Sequence, residues 1–263
     1  MDRNMKGLLC LVCCILMSFV YLKKEPVKVY LIGDSTVADY SLEPDYKTRR
    51  YPLTGWGQVF QQFLRRDNLV HLKGIIHADS AVVDDRAKGG RSTRTFFEEG
   101  RWAEVYKLLK KNDVVMIQFG HNDASAEKPE RYVNITGYKE YLRLFINQSR
   151  SKRAWPVLIT PVTRNYPWNG GKLGSAHGDY PQAMEDVAKE LRVPLINLTK
   201  LSADYFTMKG QDYVTSRYFM NLPAGAYEAY PGGQKDNTHF QTEGATEVAR
   251  LVFQGLKKLS GNK

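Results

Sequence analysis

The chain has 263 residues, 43% hydrophobic and 25% charged, enough for one soluble α/β domain with a substantial core. Its three cysteines, Cys10, Cys13 and Cys14, all lie within the first 24 residues, so the remainder excludes disulfides, thiol nucleophiles and cysteine-based zinc sites. The formal net charge is +10, or +7 without residues 1–24. That balance suits a polyanionic partner, but the basic residues are spread along the chain, which argues against nucleic acid.

In chain order, Arg3 and Lys6 precede an apolar run from Leu8 to Leu22 that ends at Lys23-Lys24. This pattern is expected to be an export signal, because it is short for a membrane span. No small-x-small triplet follows, so retention as a membrane anchor is the alternative. Residues 1–25 are therefore assigned to the signal or anchor and residues 26–263 to one domain, expected to be periplasmic or secreted and monomeric. The first strand is expected at Val27–Ile32, stopping at Gly33. Further strands are expected at Ala81–Val83, Val114–Phe119, Val157–Thr160 and Pro194–Asn197. Helical spacing covers Gly57–Arg66, Thr95–Lys110, Tyr138–Lys152, Pro181–Leu191 and Thr242–Leu259. The stretch from Ile75 to Asp85 reads less cleanly as a strand than the others. Alternating strands and helices predict a parallel sheet covered on both faces. Three irregular stretches, 39–51, 160–179 and 213–237, are long enough to be functional and would lie near the carboxyl edge of such a sheet.

Four short polar segments stand in a fixed order, three after strands and the last just before the closing helix: Gly33-Asp34-Ser35-Thr36, Gly89-Gly90-Arg91-Ser92, Gly120-His121-Asn122-Asp123 and Asp236-Asn237-Thr238-His239. A serine hydroxyl needs a base to become a nucleophile, and His239, three residues after Asp236, is the candidate for Ser35. Gly90 would let its N–H approach a substrate oxygen, and Asn122 offers an amide donor at the same edge. With the Ser35 N–H they make three donors for an oxyanion. Asp34, Asp123 and Trp56 are expected to be structural, and His121 could face the site or merely pack. Arg91 and Arg164 could meet uronate carboxylates, while Tyr166 and Trp168 could stack on a sugar ring. His71, His77 and His177 are scattered, no metal-ligand pattern occurs, and no phosphate loop appears. No cofactor or metal is expected.

These four segments resemble those of the SGNH (GDSL-type) hydrolase family, and most nearly its rhamnogalacturonan acetylesterase branch. The Ser35-Thr36-Val37 ending and the Gly90-Arg91-Ser92 form favour the carbohydrate esterase branch over lipases. The resemblance runs from Val27 to the closing helix. It implies a flavodoxin-like three-layer α/β/α sandwich. It also implies a Ser35–His239–Asp236 triad, an oxyanion hole of Ser35, Gly90 and Asn122, and the removal of O-acetyl groups from an acetylated acidic polysaccharide. The alternatives are an esterase, lipase or thioesterase of the same family acting on another acyl ester, and a polysaccharide-binding protein without catalysis.

Overall fold

The computed structural model describes residues 25–261. The expected export signal and all three cysteines lie outside the described residues. Strand β1 (Val27–Gly33) is buried from Val29 onward on both of its faces. A strand enclosed on both sides reads as a continuous apolar run, which is why it was visible in the sequence. Its neighbours are β2 (Ala81–Asp85), β3 (Val114–Gln118), β4 (Trp155–Ile159) and β5 (Leu195–Ile196). The five strands run parallel in the order β2-β1-β3-β4-β5.

Side chains alternate across a strand, so one strand feeds two cores. Val29 and Leu31 join the core beneath α1 (Trp56–Phe60), α6 (Leu198–Lys209) and α7 (Thr242–Gly261). Tyr30 and Ile32 join the opposite core, with α2 (Thr93–Glu98), α3 (Arg101–Leu108), α4 (Ile135–Ser151) and α5 (Tyr180–Leu191). The result is a three-layer α/β/α sandwich, the architecture expected.

Among the elements that differ from expectation, three have a clear local reason. The expected helix over Thr95–Lys110 is two helices, because Gly100 adopts a left-handed φ of 74° between them. The expected Gly57–Arg66 helix is α1 followed by a 3₁₀ turn at Gln61–Phe63. Helix α6 was not expected at all. Its buried side includes Thr199 and Ser202, which interrupt the apolar stripe that periodicity detects. Strand β2 is an edge strand with Val82 partly exposed and two acidic residues at its end, which accounts for its weak apolar signature.

The strand order reverses between β1 and β3. In an open α/β sheet that switch point, at the carboxyl ends of the strands, is where ligands bind. The loop after β1 carries Ser35, and the loop after β3 carries Asn122.

Candidate active site

The turn that presents Ser35 is held from several directions. Gly33, the last residue of β1, is a glycine because a Cβ there would lie 2.6 Å from the Gln118 carbonyl oxygen. The Val37 and Ala38 N–H groups donate to the Asp34 carbonyl at 3.2 and 3.1 Å. The Asp34 carboxylate accepts the Thr36 N–H at 2.9 Å and the Thr36 hydroxyl at 2.8 Å through one oxygen. Behind it, Trp56 Nε1 donates to Gln118 Oε1 at 3.0 Å, and Gln118 Nε2 donates to Thr36 Oγ1 at 2.7 Å. Every side chain in this chain of bonds is buried, so it fixes the turn in a setting where polar groups cannot trade partners for water. Tyr40 completes the brace by donating its hydroxyl to the Ser35 carbonyl at 3.0 Å. Burial, together with the Asp34 and Glu43 charges, pushes the Tyr40 hydroxyl up, so it remains a donor. Asp34 and Trp56 are thus structural, as expected from the sequence.

Ser35, Gly89, Gly90, Asp236 and His239 line one cavity of about 430 Å³. His239 Nδ1 lies 2.7 Å from Asp236 Oδ2. The other carboxylate oxygen accepts the Thr238 and His239 N–H groups at 2.7 and 3.0 Å. Burial by itself would raise the Asp236 carboxyl; the His239 ring and the two N–H groups outweigh it and hold it below its ordinary value. With Nδ1 committed to Asp236, Nε2 is the ring nitrogen left for Ser35. The backbone of this segment is pinned by the Met220 N–H on the His239 carbonyl and the Thr54 N–H on that of Phe240, both at 2.9 Å.

Gly90 has a φ of 80°, whereas a Cβ there would meet nothing nearer than Arg131 Nη1 at 3.7 Å. The left-handed backbone, not a lack of room, calls for glycine. Asn122 Nδ2 donates to the Arg91 carbonyl at 2.8 Å. One amide hydrogen therefore ties the Asn122 loop to the residue after Gly90, leaving the other for a ligand oxygen. Asp123 accepts the Thr93 N–H at 2.9 Å and the Thr93 hydroxyl at 2.6 Å, anchoring the start of α2. Burial, opposed by those two bonds and assisted by the Asp34 charge, raises the Asp123 carboxyl to about 7.

The structure relocates several side chains suggested for substrate contact. Arg91 lines the cavity, but its Nε bridges both Glu99 oxygens at 3.0 Å and its Nη1 holds the Gly89 carbonyl at 2.8 Å. Its charge is already answered. Arg164 spans the loops: it reaches Tyr166 Oη at 2.9 Å, Thr238 Oγ1 at 3.2 Å and the His121 carbonyl at 3.2 Å. Tyr166 is exposed outside the cavity, and Trp168 packs on the core with its Nε1 donating to Asn165 at 3.0 Å. His121 faces His177 instead of the cavity, Nδ1 to Nε2 at 2.9 Å. The loop 160–179 thus props the catalytic loop: Asn165 N–H donates to the Asn237 carbonyl at 2.8 Å and its amide to Asn237 Oδ1 at 2.9 Å.

The cavity walls come from the other two irregular stretches: Tyr40, Glu43 and Arg50 from the first, Tyr230 and Gln234 from the last, with Lys88 beside Gly89. Arg50 Nε donates to Glu43 Oε2 at 2.9 Å, and Lys88 Nζ reaches Glu43 Oε1 at 3.5 Å. Two cations share one carboxylate at the mouth. From the sequence, only the irregular stretch 39–51 pointed to this part of the site.

The model of the GDSL-like Lipase/Acylhydrolase family matches residues 31–245. Rhamnogalacturonan acetylesterase RhgT of Bacillus subtilis (strain 168) is 36% identical over 236 residues, covering 90% of this chain and 92% of its own. The probable rhamnogalacturonan acetylesterase YesY of the same organism is 40% identical over 232 residues, covering 88% and 93%. Among solved structures, Bacillus subtilis YxiM superposes with a TM-score of 0.71 at 27% identity, over 89% of this chain and 57% of that one. The acetylxylan esterase Axe2 of Geobacillus stearothermophilus shares the fold, with a TM-score of 0.57 at 16% identity over 88% and 94%.

Proposed function

Since this chain belongs to the GDSL-like lipase/acylhydrolase family, we propose that it removes O-acetyl groups from an acidic pectic polysaccharide, the rhamnogalacturonan type, through an acetyl-enzyme. Ser35 Oγ attacks the acetyl carbonyl carbon while His239 Nε2 takes the hydroxyl proton. The carbonyl oxygen becomes an oxyanion, met by the Ser35 and Gly90 N–H groups and the Asn122 amide. Collapse breaks the bond to the sugar oxygen, which leaves with the proton from His239. Water then attacks the acetyl-enzyme by the same route, releasing acetate and restoring Ser35. Asp236 holds the imidazole in the useful tautomer and stabilises it when charged. The observation that carries this reading is the 2.7 Å contact between His239 Nδ1 and Asp236 in the cavity that Ser35 also lines.

The acidic substrate is supported by the two relatives named above and by the cavity mouth. Arg50 and Lys88 have one carboxylate, Glu43, between them, and so hold one positive charge in excess. A uronate carboxylate beside the acetylated position would take the place of Glu43 on one of them. The protein is proposed to act outside the cytoplasmic membrane as a monomer, in keeping with its apolar N-terminal segment.

Acetate release from acetylated rhamnogalacturonan, homogalacturonan and xylan, compared side by side, tests the substrate, and xylan as the best of the three would overturn it. Ser35→Ala should lower kcat on the order of 10⁶-fold without loss of folding. Arg50→Met should raise KM for the acidic polymer about tenfold while leaving p-nitrophenyl acetate hydrolysis nearly unchanged. Equal effects on both esters would remove Arg50 from substrate recognition.

A further inference from the structure

A second cavity, of about 350 Å³, lies at the amino ends of β3, β4 and β5. Trp155, the first residue of β4, pairs in register with Val114, which pairs with Val29. Ser35 is six residues further along than Val29, so the two cavities are separated by about 20 Å, most of the length of the sheet. The wall contains Lys111, Arg150, Arg153 and Arg192 and no acidic residue, together with Trp155, which is 38% exposed. None of the four cations is ion-paired with a carboxylate among the described residues. Arg150 alone is engaged, donating to the Leu191 and Arg192 carbonyls at 2.8 and 3.2 Å.

The backbone beneath these side chains adds an independent observation. Only four non-glycine residues among those described have a left-handed φ, and three line this cavity: Asn112 at 72°, Arg153 at 59° and Arg192 at 50°. Arg153 and Arg192 each follow the end of a helix, α4 and α5, where glycine is the residue of least strain. A cation near a helix C-terminus gains from the helix dipole. Arg150 and Lys189 in the last turns already supply that charge. Two arginines with left-handed backbone thus line one concave, aromatic-bearing surface.

We propose that this cavity is an accessory binding site for an acidic polysaccharide, distinct from the catalytic cavity. Four cations without acidic partners are complementary to a chain of uronate carboxylates, which guanidinium groups meet through paired N–H donors. The Trp155 ring packs against His77 with centroids 5.2 Å apart and still leaves 38% of the residue exposed at the cavity, an aromatic edge that suits a sugar ring, and a concave pocket suits a ring more than a flat lipid surface. A site remote from Ser35 would hold the enzyme on its polymer, raising the local concentration of acetyl esters without touching the chemistry. The inference rests on the acidic-polysaccharide reading of the substrate.

The experiment measures Kd for unacetylated polygalacturonate, with Arg50→Met present throughout to silence the catalytic mouth. Trp155→Ala and the double variant Arg153→Gly/Arg192→Gly are compared with that parent. Each should raise Kd about tenfold while kcat/KM on p-nitrophenyl acetate stays within about twofold. The glycine variant relieves the left-handed strain, so its Tm should equal or exceed the parent's, which separates lost binding from lost folding. Unchanged Kd in both variants would overturn the proposal. So would equal affinity for duplex DNA or for phosphatidylglycerol vesicles, lost in parallel in the same variants. Were the wild type to bind polygalacturonate through Trp155 yet release no acetate from any pectic polymer, the substrate reading would fall and the accessory site would stand.

Discussion

Two histidine pairings stand on either side of Arg164, and they have opposite characters. His239 is braced by a carboxylate and keeps 30% of its side chain exposed in the catalytic cavity. His121 and His177 brace only each other, edge to face with ring centroids 4.4 Å apart, and are 2% and 1% exposed. Burial first, then the positive charge of Arg164, lowers His177 to about 3. Burial first, then His177 and Arg164, lowers His121 well below its ordinary value. The same side chain therefore has a carboxylate to answer its charge in one place, and in the other, where none is present, it stays an uncharged spacer. Arg164 links the two, with one nitrogen on the His121 carbonyl and another on Thr238, beside His239. The paired imidazoles and Arg164 thus support the catalytic segment from behind.

The contrast breaks most readily at the carboxylate. Asp236→Asn keeps the shape but favours the wrong tautomer, and should lower kcat on the order of 10⁴-fold in steady-state assays. A loss below tenfold would mean that His239 needs no carboxylate, and the two pairs would differ only in exposure. The oxyanion donors come next. Asn122→Ala should lower kcat about 10²–10³-fold with a smaller change in KM, because its contact forms in the transition state. A change confined to KM would remove Asn122 from that role.

The smallest catalytic effect belongs to the sealed pair. His177→Phe should leave kcat/KM within about tenfold, yet cost about 1–3 kcal/mol in denaturant unfolding, because His121 Nδ1 loses its buried partner. The pH dependence sharpens this further. Below about pH 6.5 unfolded His177 binds a proton that the folded one refuses down to about pH 3, so it removes stability as pH falls. Asp123, raised to about 7, acts in the opposite sense, since its unfolded carboxyl ionises while the folded one stays protonated, and stability declines as pH rises from about 4 to 7. That contribution is common to both proteins. The stability advantage of wild type over His177→Phe should therefore shrink between pH 6.5 and 4, and a constant difference would show that His177 titrates normally when folded.

How much was legible differed sharply by residue. Ser35, Gly90, Asn122, Asp236 and His239 each sit in a short contiguous motif, so their spacing exposed them. Asp236 and His239 need only three residues of local geometry to meet. The side chains that meet a ligand followed another logic. Arg91 and Arg164 stood in promising loops, yet Glu99 claims one and loop oxygens the other. Arg50, Glu43 and Lys88 come together at the cavity mouth across 45 residues of chain, a separation that no local pattern reports. His177 read only as a scattered histidine and His121 as one that could face the site or pack, and nothing local pointed to their pairing across 56 residues.

The order of the sheet strands, most of the helices around them and the polar motifs at the sheet edge were legible in the sequence, because each depends on periodicity or on neighbours a few residues away. Which charges remain unspent was decided only by the folded chain. A cation is free or paired according to which distant carboxylate the packing brings within about 4 Å. The same holds for the histidines: their partners, and so their charge, were chosen by tertiary contact and not by position in the chain.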